Sequence, residues 1–206
     1  RVRAGSGLGL LREVRGTADA MEKIIPVAHQ PDSGQGGYLV VTKANRKSTI
    51  HRPAYMDYVG IKRYSQDGKI DGEFCILGLF SSTAYSHPPR TIPLLSRKVK
   101  EVLDGAQLLP NSHSGKVLLN ILDTFPRDAL FQISSDDLLE ISLGILGLQE
   151  RQRTRIFVFG DTFGRFYSCL VYIPRERYNR ELRIRVQKVL VEAFSGTEVE
   201  FSAHFS

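Results

Sequence analysis

The sequence predicts an α+β protein in which two antiparallel-sheet modules are joined by a helical connector. Three observations carry that expectation. Two β-rich stretches flank Asp67-Gly68, a hairpin-turn pair in which glycine tolerates positive φ. Between residues 93 and 150, apolar residues recur at helical spacing. From residue 153 onward the patterns run strand, turn, strand, helix, strand.

The first module covers residues 1–92 and reads as a mixed α/β unit. Residues 17–25 (TADAMEKII) form its expected helix, with Thr17 or Asp19 near the start. Residues 38–42 (YLVVT) make a short strand, and residues 48–52 pair back on it. Residues 55–64 alternate, with Tyr55, Asp57, Val59 and Ile61 pointing one way, and residues 73–80 return as an apolar strand. Pro88, Pro89 and Pro93 then mark a boundary.

The helical connector covers residues 93–150. Leu94, Leu95, Val99, Val102 and Leu103 line a first helix that Pro110 and Asn111 end. Val117, Leu118, Ile121 and Leu122 line a second, closed by Pro126. Ser134 and Asp137 fit a capping box at the start of a third. Its run from 138 to 148 is apolar nearly all round, so it is expected between the modules.

The second module covers residues 151–206. Residues 155–159 and 165–173 are strands around the turn at 160–164, and the return strand, apolar on both faces, is expected to be central. Residues 176–194 form the clearest helix, with Tyr178, Leu182, Val186, Val189, Leu190 and Ala193 on one face and Ser195-Gly196 at its end. Residues 197–205 complete the module as a strand. This order is most of a ferredoxin-like unit, the type used by ACT regulatory domains.

Composition excludes several classes. Hydrophobic residues make up 42% and charged residues 24% of 206 residues, an ordinary globular balance that can bury a core without staples. No apolar run reaches the roughly 18 residues of a membrane helix, and the start has no signal-peptide core. The chain begins at Arg1, which suits an internal piece of a longer protein. Cys75 and Cys169 lie in apolar runs and read as reduced, buried thiols of a cytoplasmic protein. Histidines at 29, 51, 87, 113 and 204 make no HxxxH or CxxC pair, so no metal site is expected. The net charge of +6 permits a nucleic-acid partner but does not select one.

Three catalytic motifs are approached and missed. The run from Gly5 to Leu10 (GSGLGL) starts like a dinucleotide-binding glycine motif, yet Leu10 replaces its third glycine, and it reads as a flexible terminal segment. Ser114-Gly115-Lys116-Val117 lacks the upstream glycine and the hydroxyl of a P-loop, and reads as a first helical turn. Ser81-Ser82-Thr83 has no GxSxG frame and no identifiable base. The stripe Arg177, Arg180, Arg183, Arg185 and Lys188 reads as a solvated face with i,i+4 pairs rather than a phosphate track. The dense charged set Lys43, Arg46, Lys47, Arg52 and Asp57 is the candidate site. An arginine on a half-buried sheet binds a carboxylate bidentately, either from Asp57 as a structural pair with Arg52 or from a ligand.

The motifs KANRKSTIHRPAYMDYVGIKR, LGLFSSTAYS, PRTIPLLSRKV, GKVLLNILDTFPRDALFQIS, LQERQR and FGRFYSCLVYIPRERYN resemble, in the same order, the large bacterial NAD-specific glutamate dehydrogenases. The resemblance covers about residues 35–195. It implies a fragment of the non-catalytic region before the catalytic domain, with a PAS-like first module and an ACT-like second one. It implies oxidative deamination of glutamate to 2-oxoglutarate by the whole enzyme, with NAD bound outside this fragment and no catalytic residue within it. The expected partners are the rest of the same polypeptide, further copies in a homo-oligomer, and a small amino-acid effector. A stand-alone amino-acid sensor is the alternative, and a basic nucleic-acid-binding protein a third.

Overall fold

The alternating stretches fold as an antiparallel meander, β1 (Leu39–Lys47), β2 (Tyr55–Tyr64) and β3 (Ile70–Gly78), in that spatial order. The structure, a computed structural model, describes residues 6–12, 24, 38–50, 52–148 and 153–204. The helix expected over residues 17–25 lies, apart from Ile24, outside the described residues. The Asp67-Gly68 turn forms as expected, with Gly68 at φ +79 and its N–H donating to Ser65 O at 3.0 Å.

β1 is longer than its apolar run suggests. It pairs directly with β2, with an irregularity between Lys43 and Lys47. The described residues 48–50 and 52–54 therefore lie in a loop, closed by Ser48 N–H donating to Ala54 O at 2.8 Å, and do not return on residues 38–42. Pro53, which has no N–H to give to a ladder, sits in that loop. Strand alternation sends Ala44, Met56 and Tyr58 into a small core with Cys75 and Leu77. The opposite face carries Lys43, Asp57, Val59 and Ile61.

The main core lies in the helices. These are α1 (Ser82–Ser86), α2 (Leu95–Ala106), α3 (His113–Thr124), α4 (Arg127–Gln132) and α5 (Ser135–Leu146). Leu95, Val102, Leu118, Leu122, Leu130 and Leu138 are completely buried there. Ser112 caps α3 by accepting from Gly115 N–H at 3.0 Å, so the Ser114-Gly115-Lys116 run is indeed a first helical turn. Ser134 caps α5, with Asp137 N–H at 3.0 Å and the Asp137 carboxylate accepting from the Ser134 hydroxyl at 2.7 Å. Helix α4 goes beyond the sequence expectation. Pro126 closes α3 but also precedes α4, where a residue without an N–H is tolerated.

In the second module, β4 (Arg155–Gly160) pairs antiparallel with β5 (Tyr167–Tyr172). Phe157 and Phe159 enter the helical core, and α5 passes so close that a Cβ on Gly144 would lie 2.6 Å from the Phe157 ring. Helix α6 (Arg180–Ala193) is on the other face, where Phe194 just beyond it meets Tyr167 with ring centroids 4.6 Å apart. It starts later than expected because Asn179 caps it, accepting from Leu182 N–H at 2.8 Å.

Residues 197–204 contain no strand. A strand needs a ladder partner, and this segment instead sends Glu200 and Glu198 to Lys47, at 2.6 and 3.2 Å. Among the described residues the second sheet is thus two-stranded and β5 is not central. The architecture is α+β, and among the described residues no helix is long and apolar enough to cross a membrane.

Candidate functional site

The charged residues of β1 and β2 converge where the first sheet meets the helices. Lys43 stands directly opposite Asp57 across the ladder. Its Nζ lies 2.6 Å from Asp57 Oδ1 and 2.8 Å from Asp128 Oδ1 of α4. Asp57 is 5% exposed, and its other oxygen accepts from Phe80 N–H at 2.6 Å. Tyr85 of α1 donates to Asp128 at 2.8 Å. Burial works against the Lys43 charge, but hydrogen bonds to Asp128 and Asp57 outweigh it and hold its pKa above the usual lysine value.

Arg52 does not join this cluster. Its guanidinium lies over the Tyr85 ring, 4.7 Å from the centroid, and Lys43 takes the place expected for it beside Asp57. Arg46 is exposed. Lys47 turns to Glu198 and Glu200 and also lies over the Tyr55 ring. Of the five charged residues, the structure brings together Lys43 and Asp57, and adds Asp128 and Tyr85.

A second cluster, missed in the sequence, joins β1 to the β4–β5 turn. Arg165 donates to Asp161 through Nε at 2.8 Å and Nη2 at 3.0 Å, to Thr42 Oγ1 at 2.9 Å and to Asn45 Oδ1 at 2.7 Å. The Thr42 hydroxyl donates to Asp161 Oδ1 at 2.6 Å. Burial disfavours the Asp161 charge, yet Arg165 and Thr42 overcome that and keep its carboxyl below the usual value. An aspartate in a turn with arginine four residues on was the available signal. Thr42, 119 residues away from Asp161, gave none.

These clusters satisfy their own charges and fasten β1 to the helices and to the second module. Lys98 of α2 acts similarly: its ammonium donates to the carbonyls of Leu130, Phe131 and Ile133 at 2.9, 3.3 and 2.5 Å, closing the end of α4. Both cysteines are free and half-buried, and burial pushes each thiol up, away from nucleophilic thiolate character. Among the described residues, no group of three His, Cys, Asp or Glu side chains is placed to hold a metal ion. A groove of about 220 Å³ between α5 and β4 presents Asp137, Glu140 and Arg155 around Ile141 and Phe157. It offers carboxylates for an ammonium group and a guanidinium for a carboxylate.

Two family models match the chain: "Glutamate dehydrogenase, helical motif 1" over residues 92–151 and "Glutamate dehydrogenase, ACT2 domain" over residues 155–206. Relatives named NAD-specific glutamate dehydrogenase are 46% identical over 164 residues in Halomonas elongata and 39% over 168 in Pseudomonas aeruginosa. Those matches cover 80% and 82% of this chain. One from Mycobacterium tuberculosis is 32% identical over 201 residues, 98% of this chain. The chain spans only 10 to 12% of the length of these curated relatives.

Proposed function

Because the chain belongs to the family of large bacterial NAD-specific glutamate dehydrogenases, we propose that it is a regulatory and assembly region of such an enzyme. The whole polypeptide oxidises glutamate to 2-oxoglutarate and ammonium in the cytoplasm, as a homo-oligomer, with NAD bound by a catalytic domain outside these residues. The family matches at 92–151 and 155–206 carry this reading, since they assign more than half of the chain to a helical motif and an ACT2 domain. Residues 1–92 act as a PAS-like module ahead of the helical connector at 93–150, a division supported by the separate three-stranded sheet. The effector is a small amino acid, and the groove beside Asp137, Glu140 and Arg155 has the charge pattern to receive one.

Calorimetric titration of the full-length enzyme and of this chain with amino acids, 2-oxoglutarate and NAD tests the reading. An amino acid should bind both, and NAD the full-length enzyme alone. A ligand at one hundred times its Kd adds about 2.7 kcal/mol of stability, so a thermal shift gives a second readout. NAD binding to this chain would overturn the division of labour. Silence with every amino acid would remove the effector and leave assembly as the role.

A further inference from the structure

Among the described residues, one face of the first sheet is only half covered. Its lower part meets the helices: Val41 packs against the main core, Lys43 reaches Asp128 and Asp57 accepts from Phe80 N–H. Its upper part continues the same rows of apolar side chains without a cover among the described residues. Leu39, Ile61 and Phe74 stand side by side across the three strands, and Ile76 follows Phe74 in the next row. These four are 41, 40, 61 and 58% exposed. Beyond them the Arg63–Asp71 ion pair, 2.8 Å, closes the strip with charge.

We propose that this half-face docks an amphipathic helix supplied by the part of the dehydrogenase polypeptide outside this chain. The proposal rests on the chain being a segment of a longer enzyme; its curated relatives are roughly ten times as long. The strip continues a surface that helices already cover, so a further helix extends an existing layer rather than starting a new one. Three strands about 4.8 Å apart make a strip on the order of 10 Å wide, the width of one helix. The exposed surface of its four apolar side chains is on the order of a few hundred Å², below the roughly 800 Å² per partner of a stable complex between separate molecules. A second copy is therefore poorly served by this strip, whereas a helix tethered in the same polypeptide has a high effective concentration and needs less area.

Photo-crosslinking tests the docking, with benzoylphenylalanine replacing Phe74 in the full-length enzyme and mass spectrometry of the products. The expected product links position 74 to a peptide outside these 206 residues, within one subunit, so the subunit mass does not double. A link to another copy of this region, with doubled mass, would overturn the proposal in favour of a contact between copies. A link only to residues of this chain, or no link, would overturn it as well. As a second measurement, Phe74→Ser should raise amide exchange across β3 in the full-length enzyme; unchanged exchange counts against a docked helix. Neither readout involves an effector, so a failed amino-acid titration leaves this test intact.

Discussion

Removing one partner from a buried ion pair strands the other charge, at a cost of about 3–5 kcal/mol. Asp161 and Arg165 form such a pair, with side chains 1% and 19% exposed. Asp161→Ala should lower stability by about that amount in urea titrations. The pH dependence follows from the depressed Asp161 pKa. A carboxyl with a folded pKa below its free value of about 3.9 stabilises the fold above that value and loses the contribution as pH falls through the folded pKa. The wild type should weaken below about pH 4, whereas Asp161→Asn should show a flatter stability profile there. Lys98 gives a slope of the same sign from the opposite cause, since its charged form is disfavoured rather than favoured in the fold. Burial pushes its ammonium down to about 8 from 10.5, so its contribution to stability grows as pH rises between those values. Lys98→Met leaves the carbonyls of Leu130, Phe131 and Ile133 without their donor and should cost about 1–3 kcal/mol, measured by thermal melting at pH 7. The density of charge around Lys43 and Asp57 was visible in the sequence. The partner of Asp57 was not, because ladder register places Lys43 opposite it while Arg52 falls in a loop.

Element boundaries were legible wherever a local signal sets them. The Asp67-Gly68 hairpin and the Ser134–Asp137 capping box depend on side chains within a few residues, and both appear in the structure. The burial of α5 followed from its nearly uniform apolar pattern. Distant contacts decided the rest. Val199 and Phe201 alternate with Glu198 and Glu200 as a strand would, but the glutamates meet Lys47 and Phe201 packs under Arg183 with 4.1 Å to the ring centroid. A close approach that no pattern announces gives a sharp test. A side chain at Gly144 meets the Phe157 ring, so Gly144→Val should destabilise by about 1–3 kcal/mol through overpacking of α5 on β4. Phe157→Leu in the same chain should recover part of that loss in urea titrations. Full additivity of the two losses would show that the helix and strand do not press on one another there.

At the scale of the whole molecule, β1 is the shared member. Lys43 holds it to α4, and Thr42 and Asn45 hold it to Arg165 in the second module. A helical connector alone would let the two sheets fold as separate units, whereas these contacts tie their stabilities together. Thr42→Val and Arg165→Met therefore should not add. Both changes remove the Arg165–Thr42 hydrogen bond, so the double mutant should retain about 0.5–3 kcal/mol more stability than the sum predicts. The same link gives the proposed effector a route into the rest of the enzyme, because a ligand shifts a conformational balance only by its different affinity for the two states. In the full-length enzyme, Arg165→Met should leave activity without effector close to the wild-type level and diminish the response to the amino acid. The measurement is NAD reduction with glutamate, with and without effector, beside direct effector binding. Retained binding with a lost response places the coupling at this junction. An unchanged response sinks that assignment, and the contact between β1 and the β4–β5 turn would then serve stability alone.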